Sequence, residues 1–246
     1  MISRAALKRL RVRELRDIAS TFANPVGMSK TELVDMLTEH YYRLRKFIGY
    51  TYVKQLGKGL HGRVFLAKTD KQEFVAVKLF HENVSAGSIA RQVHFQQLAA
   101  EHGISPGIVD WCAEGKFIAM RQMEGDLLGH LRLKNGKLSA NVQKKLVRVF
   151  EELDRIHIFH ADSNLGNFMF DKQGNWAIVD FGLSKNITNS MQVQYGRSPN
   201  SWWGVQSLCK KLAQLYPSAC YRVLDECVER HRTAVTTPGA SGKTGI

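Results

Sequence analysis

The fold of this chain is decided by two nearby stretches, His160-Ala161-Asp162-Ser163-Asn164-Leu165-Gly166-Asn167 and Ile178-Val179-Asp180-Phe181-Gly182. The first has the form H-x-D-x-x-x-x-N, and the second is D-F-G at the end of an apolar run. Transfer of a phosphoryl group from ATP needs one carboxylate near the acceptor hydroxyl, and an amide and a second carboxylate on magnesium ions. Asp162, Asn167 and Asp180 supply these groups in the expected order. The alternative for either stretch alone is a turn rich in Asp and Asn between two strands.

The composition is that of a basic, globular protein. Its 246 residues suffice for one ordinary domain, or for one domain with a small module, and 44% of them are hydrophobic. No run approaches the roughly 18 apolar residues of a membrane span, so no membrane contact is expected. The net charge of +13 favours polyanionic partners. The four cysteines are widely spaced, which predicts buried thiols in a reducing compartment rather than disulfides or a zinc site.

A glycine-rich loop and a lysine stand upstream of these motifs. Residues 51–80 alternate apolar and polar side chains, which predicts three strands. Between the first two lies Gly57-Lys58-Gly59-Leu60-His61-Gly62-Arg63-Val64, of the form G-x-G-x-x-G-x-V. A dinucleotide-binding turn would lead into a helix, whereas strand pattern follows here and favours a hairpin over nucleotide phosphates. Lys78 closes Val75-Ala76-Val77-Lys78 and is predicted to pair with the α- and β-phosphates; the alternative is a surface lysine on an edge strand.

Together these motifs make residues 51 to about 225 similar to a protein kinase domain. The resemblance implies an N-lobe over 47–120, a C-lobe over 121–232, and ATP and Mg²⁺ as cofactors. The implied catalytic residues are Asp162, which accepts the hydroxyl proton, with Lys78 and Asn167. The implied metal ligands are Asn167 and Asp180. The implied nucleotide contacts are Gly57, Gly59, Gly62, Val64, Ala76, Lys78, Met120, Arg121 and Met123.

The sequence departs from the usual kinase pattern at several positions. A helix predicted over 88–102 carries Gln92 where kinases have the glutamate that orients the lysine. Ala161 replaces the arginine usual before the catalytic aspartate, so switching by phosphorylation is not expected. Asn164 stands where Ser/Thr kinases usually carry lysine. The ending Gly166-Asn167 resembles that of aminoglycoside-type kinases.

The C-terminal part predicts a reduced C-lobe. No A-P-E follows Gly182, and Asn200-Ser201-Trp202 is a candidate counterpart of the D-x-W motif, which predicts a short activation segment. A strand at 117–120 leads into residues 121–128, which resemble the hinge between the two lobes of a kinase. The other predicted elements are a helix starting at Leu127, a helix over 140–158, a strand hairpin at 168–170 and 176–179, helices over 205–216 and 219–231, and a disordered tail over 233–246.

Residues 1–46 resemble a SAP module, a two-helix DNA-binding fold. Leu10 to Phe22 has helical apolar spacing, a Pro/Gly loop follows at 23–27, and Ser29-Lys30-Thr31-Glu32 is a capping box that starts a second helix. The implied phosphate ligands on DNA are Arg11, Arg13, Arg16 and Lys30. The alternative is a basic helical hairpin that packs on the next domain and binds nothing.

The sequence therefore predicts an α+β protein with a two-lobed kinase-like fold, a reduced C-lobe and an N-terminal SAP-like module. The leading hypothesis is an ATP- and Mg²⁺-dependent Ser/Thr protein kinase acting on DNA-associated proteins. The alternatives are a small-molecule kinase of the aminoglycoside type and a catalytically inactive nucleotide-binding scaffold. The combination resembles kinases of large DNA viruses, which implies an intracellular location such as the nucleus, a viral factory or the virion.

Overall fold

The computed structural model describes residues 4–20, 23–37 and 50–235 of the chain. The described residues fall into two compact units. The first holds those within 4–94 and 107–122, and the second holds those within 95–106 and 123–235.

A five-stranded antiparallel sheet forms most of the first unit, in the order β1-β2-β3-β5-β4. Its strands are β1 (Thr51–Gly59), β2 (Gly62–Lys68), β3 (Phe74–Phe80), β4 (Ile108–Cys112) and β5 (Phe117–Arg121). The three strands predicted within 51–80 are confirmed, as is the strand at 117–120, whereas β4 was not predicted. β1 and β2 pair up to Gly59 and Gly62, so the glycine-rich stretch is the tip of a hairpin.

Helix α4 (Ala86–Glu101) covers this sheet with its first half. Ile89 and Val93 are fully buried or nearly so, and they join Ala76 and Ile118 in one apolar cluster. The helix confirms the prediction over 88–102 with ends shifted by a residue or two. Residues 95–101 belong to the second unit.

The N-terminal part is helical with a small core of its own. Its helices are α1 (Arg4–Arg9), α2 (Val12–Ala19) and a helix α3 that includes residues 30–37. Their buried side chains are Leu7, Leu15, Ala19, Leu33, Val34 and Leu37. The predicted pair of helices is wrong in one respect, because α1 is a separate helix that precedes them. Phe22 and residues 38–49 lie outside the described residues, as do 236–246.

The predicted capping box at Ser29 is confirmed. The Ser29 N–H donates to Glu32 Oε2 at 2.7 Å, and the Glu32 N–H donates to Ser29 Oγ at 3.3 Å. The hydrogen bond from the Ser29 backbone lowers the pKa of Glu32. Two amide groups that the helix itself leaves without partners are satisfied in this way, which fixes where α3 begins.

The second unit is mainly helical. Its elements are β6 (Gly125–Asp126), α5 (Leu127–Leu133), α6 (Ala140–Arg155), β7 (Ile158–Phe159), β8 (Phe168–Phe170), β9 (Trp176–Ile178), β10 (Lys185–Asn186), α7 (Asn189–Tyr195), α8 (Val205–Leu215) and α9 (Arg222–Val235). A π-helical turn, Asn200–Gly204, leads into α8. The core is apolar and includes Phe150, Leu153, Phe168, Phe181 and Leu208.

Three boundaries in this unit differ from the sequence expectation by more than one residue. α6 ends at Arg155 because His157 adopts a left-handed conformation, with φ of 57°, and Ile158 then starts β7. α9 begins at Arg222 rather than at Ala219, and it runs through Val235 into the segment expected to be disordered. The strand hairpin of β8 and β9 is confirmed.

The cysteines are less uniformly buried than expected. Cys227 is buried, Cys112 and Cys209 are half-buried, and Cys220 is exposed. The expectation of four buried thiols is therefore wrong for Cys220. Among the described helices, none combines the length and the apolar character that a membrane crossing requires.

Candidate active site

The loop before β8 holds the Asp162 carboxylate by both oxygens. Oδ2 accepts a hydrogen bond from the Asn167 side-chain amide at 2.8 Å, and Oδ1 accepts one from the Asn164 N–H at 3.1 Å. The side chain of Asp162 remains 29% exposed, so the carboxylate can still meet a substrate. The two residues at the fixed spacing of the motif are thus in direct contact.

His160 joins this loop to the segment that carries Asp180. Its ring nitrogens lie 3.0 Å from the Asp162 carbonyl oxygen and 3.1 Å from the Val179 carbonyl oxygen. Its ring packs edge-on against Phe181, with centroids 4.9 Å apart. Burial lowers the pKa of His160, against the opposing charges of Asp162 and Asp180. A neutral ring carries one N–H, so it donates to only one of the two carbonyl groups at a time.

The backbone at this site is strained at two positions. Ala161 has φ of 63° and Asp180 has φ of 66°, both in the left-handed region that residues with a Cβ rarely adopt. Such conformations persist where the surroundings fix them, and they concentrate at functional sites. One of the fixing contacts is a hydrogen bond of 2.9 Å from the Val179 N–H to the Asn167 carbonyl oxygen.

A buried polar network connects the loop that contains His160 and Asp162 to α6. Asn200 Oδ1 accepts the His160 N–H at 3.1 Å, and Asn200 Nδ2 donates to Asp154 at 2.8 Å and to the Ile158 carbonyl at 2.7 Å. Asp154, on α6, also accepts from the backbone and side chain of Ser201 at 2.8 and 2.6 Å. Burial raises the pKa of Asp154, against these hydrogen bonds. Asn200 therefore ties the loop to α6, and the negative charge of the network comes from Asp154.

Sequence reasoning missed two residues near the loop. Asp154 carries no motif, although a carboxylate next to the apolar stripe of α6 is a weak signal. Lys211, on α8, places its Nζ atom 3.9 Å from Asp162 Oδ1. Nothing in the local sequence points to Lys211, because the contact spans the chain from the loop to a distant helix.

In the first unit, the three glycines of the hairpin have different surroundings. A Cβ atom added at Gly57 or Gly59 would meet nothing within 4 Å, so the backbone there is open to a ligand. A Cβ at Gly62 would lie 2.1 Å from the Leu79 carbonyl oxygen. Gly62 is therefore a glycine because β2 packs closely on β3, and the phosphate role predicted for it is not needed to explain it.

Lys78 lies in the middle of the sheet and is buried, with 7% of its surface exposed. It is not the exposed edge-strand lysine of the alternative reading, because β3 pairs with strands on both sides. Its Nζ donates to Gln92 Oε1 at 3.2 Å, so the glutamine on α4 takes the position beside the ammonium. Among the described residues, the Nε2 atom of Gln92 is buried with no hydrogen-bond partner. A buried donor of this kind favours an acceptor group from a ligand.

The other implied nucleotide contacts belong partly to the first unit and partly to the second. Val64, Ala76 and Met120 pack in one apolar cluster of the sheet. Arg121 is exposed, and its N–H already donates to the Gly107 carbonyl oxygen at 2.9 Å. Met123 is half-buried and belongs to the second unit.

The proposed DNA ligands are all exposed. Arg11 lies just before α2, Arg13 and Arg16 lie on it, and Lys30 lies in the first turn of α3. The Arg16 guanidinium donates to the Met28 carbonyl oxygen at 3.1 Å, so this residue also holds the loop between the helices.

Comparison with known families identifies the domain that carries these motifs. The sequence model described as the protein kinase domain matches residues 50–204, which is more than half of the chain. The chain belongs to the protein kinase family. The match begins next to β1 and ends in the turn before α8, so it includes every kinase motif quoted above and none of the N-terminal SAP-like pattern.

The chain is also similar to kinases of Aspergillus fumigatus, Dictyostelium discoideum and Encephalitozoon cuniculi. The mitogen-activated protein kinase kinase kinase bck1 of Aspergillus fumigatus is 32% identical over 163 residues, covering 56% of this chain and 10% of that protein. A probable serine/threonine-protein kinase of Dictyostelium discoideum is 23% identical, covering 82% and 16%. A probable serine/threonine-protein kinase KIN1 homolog of Encephalitozoon cuniculi is 24% identical, covering 69% and 33%. The chain thus spans a third or less of the length of these relatives.

The kinase domain implies ATP and Mg²⁺, and the residues present fit both. Mg²⁺ prefers oxygen ligands, which the Asp180 carboxylate and the Asn167 amide offer. When bound, it neutralises charge on the phosphates. The open backbone at Gly57 and Gly59, the buried Lys78 ammonium and the unpaired donor of Gln92 suit an anionic nucleotide.

Proposed function

We propose that this protein is a Ser/Thr protein kinase that transfers the γ-phosphate of ATP to protein hydroxyl groups, and that its N-terminal helices bring it to DNA. The observation that best supports kinase activity is the Asp162 carboxylate, which Asn167 and Asn164 hold in place while it remains partly exposed. In this reading, Asp162 orients the acceptor hydroxyl and accepts its proton. Asn167 and Asp180 hold the metal, while Lys78 and the amides near Gly57 and Gly59 hold the phosphates.

The test is transfer of labelled phosphate from ATP to a panel of basic and acidic proteins. Asp162→Ala and Asp180→Ala should each lower the rate at least a few hundredfold, since loss of one charge-stabilising group costs about 3–4 kcal/mol of barrier. Asp70→Ala, in an exposed turn, removes one carboxylate away from these loops and should match the wild type.

The other outcomes identify the rivals. Labelling of an aminoglycoside or another metabolite, without labelling of any protein, would show that the protein is a small-molecule kinase. ATP binding without transfer to anything, in wild type and Asp162→Ala alike, would assign a nucleotide-binding scaffold. The ending Gly166-Asn167 favours the first alternative and Gln92 favours the second, but Asn167 itself holds the Asp162 carboxylate in this structure.

The DNA-binding role is supported by the separate small core of the N-terminal helices and by the exposure of their basic residues. Affinity for duplex DNA should fall steeply as the salt concentration rises. The double variant Arg11→Ala/Arg13→Ala should reduce the slope of log affinity against log salt concentration by about one for each phosphate group that is no longer bound. Arg16 is left in place, because it also holds the loop at Met28. Lys134→Ala/Lys137→Ala, which removes the same charge elsewhere, should leave the slope unchanged.

If DNA is bound, tethering would raise the local concentration of DNA-associated protein substrates and offset a short peptide-binding segment. The proposed location is accordingly a reducing compartment that contains DNA, such as the nucleus or a viral factory. Absence of duplex binding at low salt would leave the N-terminal helices as a packing module.

A further inference from the structure

Among the described residues, a lysine from a distant helix forms an ion pair with the proposed catalytic carboxylate. Lys211 lies on α8, and its Nζ atom is 3.9 Å from Asp162 Oδ1. The lysine is 38% exposed and the aspartate 29%, so both remain accessible from solvent. The same oxygen accepts the Asn164 N–H at 3.1 Å. Within residues 50–235, no other ion pair reaches Asp162.

This ion pair contributes little to the stability of the folded state. Pairs between partly exposed side chains contribute little to stability, because solvent screens them and two flexible side chains must be ordered. The Asp162 carboxylate is already held by two hydrogen bonds that do not involve Lys211. A role in the reaction therefore explains the contact better than a role in stability.

The chemistry of transfer supplies such a role. The acceptor hydroxyl gives its proton to Asp162 and attacks the γ-phosphorus, while the bond from that phosphorus to the β,γ-bridging oxygen breaks and ADP leaves. During this step the negatively charged oxygens of the phosphoryl group come close to an anionic carboxylate. A cation beside the carboxylate offsets that repulsion, and the sequence of the loop offers none, since Asn164 and Asn167 are neutral.

We propose that Lys211 is a positioning residue for phosphoryl transfer. Its ammonium offsets the charge of the Asp162 carboxylate as the phosphoryl group approaches, so the cation is supplied from α8 rather than from the loop. The proposal rests on the kinase activity proposed above. It assigns Lys211 to the transfer step and not to nucleotide binding, because the phosphate-binding groups belong to the first unit.

The first experiment measures kcat and KM for ATP separately in three variants, Lys211→Met, Lys211→Arg and Lys210→Met. Lys211→Met should lower kcat about 10- to 100-fold, less than a fully buried charge would, and leave KM for ATP within about twofold. Lys211→Arg, which keeps the cation, should retain most of kcat. Lys210→Met removes the same charge from the adjacent, exposed position and should behave as the wild type.

The second experiment moves the cation. In the Lys211→Met background, Asn164→Lys should recover at least about tenfold of the missing kcat, because the backbone of residue 164 already contacts the same carboxylate oxygen. A purely structural role of Lys211 would not be rescued by a lysine on another element. Thermal unfolding of all variants should occur at the wild-type midpoint.

Two results would overturn the proposal while the kinase activity stands. One is a kcat of Lys211→Met equal to that of Lys210→Met. The other is a reduced kcat accompanied by a lowered unfolding midpoint and not restored by Asn164→Lys. If the wild type itself transfers no more phosphate than Asp162→Ala, the proposed activity fails, and the role of Lys211 fails with it.

Discussion

Replacement of Gly62 by alanine tests the packing of the glycine-rich hairpin. The added Cβ would lie 2.1 Å from the Leu79 carbonyl oxygen, 2.9 Å from its carbonyl carbon and 3.0 Å from the Phe80 Cα atom. All three are backbone atoms of β3, so no side chain can rotate away to make room. The same change at Gly57 or Gly59 meets nothing within 4 Å.

The cost follows from the distance that the strands must move. To restore ordinary van der Waals contact, β2 must shift by about 1 Å at the pair formed by Gly62 and Phe80. Overpacking of this kind costs about 1–3 kcal/mol, and weakened hydrogen bonds at the strand end cost about 1 kcal/mol more. Gly62→Ala should therefore lose about 2–4 kcal/mol and lower the unfolding midpoint by about 5–15 °C. Gly57→Ala and Gly59→Ala should stay within about 1 kcal/mol of the wild type.

The assay is thermal and urea unfolding of the three variants beside the wild type. If nucleotide protects the wild type, Gly59→Ala should also weaken that protection, because the added methyl group narrows the approach to the backbone amides. A Gly62→Ala protein that unfolds at the same midpoint as Gly59→Ala would refute the reasoning, since it would show that β2 does not lie this close to β3.

Three further predictions concern other parts of the chain. Asp154→Asn should lose about 2 kcal/mol in urea unfolding, because the new amide NH2 group faces two donors whichever way it turns. Glu152→Gln, an acid-to-amide change at a partly exposed ion pair on the same helix, should lose under about 1 kcal/mol. Since burial raises the pKa of Asp154, the stability of the wild type relative to Asp154→Asn should be greatest at acidic pH and fall as pH rises through the folded-state pKa; a flat difference would contradict this. At pH 8, iodoacetamide should label the exposed Cys220 well before Cys227, whose pKa burial raises to about 11, and equal rates by mass spectrometry would argue against that burial. Ser29→Ala should lower the free energy of unfolding by about 1 kcal/mol, because the N-cap hydrogen bond of α3 is lost. Thermal unfolding followed by circular dichroism would measure this change, and an unchanged midpoint would show that the cap does not stabilise the protein.

Local spacing accounts for the parts of the structure that could be predicted. The capping box at Ser29 and the tip of the hairpin between β1 and β2 each join residues that are a few positions apart, so the backbone geometry fixes them once the element forms. The motif spacing likewise places Asp162 and Asn167 in one loop, although their direct contact was not predicted. The counterpart of the orienting glutamate, Gln92, could be found by counting along one helix. The extra helix α1 and the early end of α6 at Arg155 were not predicted, because helical spacing alone does not place the residue at which a helix breaks.

The kinase motifs, the residues proposed to bear the reactive groups, and most of the strands and helices can be recognised from local sequence patterns. The packing of the folded chain is needed to see that Gly62 lies too close to β3 for a side chain, that Asp154 belongs to the buried polar network next to the loop, and that Lys211 reaches Asp162. The difference lies in distance along the chain. Strand and helix patterns repeat over a few residues and can be recognised locally, whereas a contact between a loop and a helix some fifty positions later depends on how the whole unit packs.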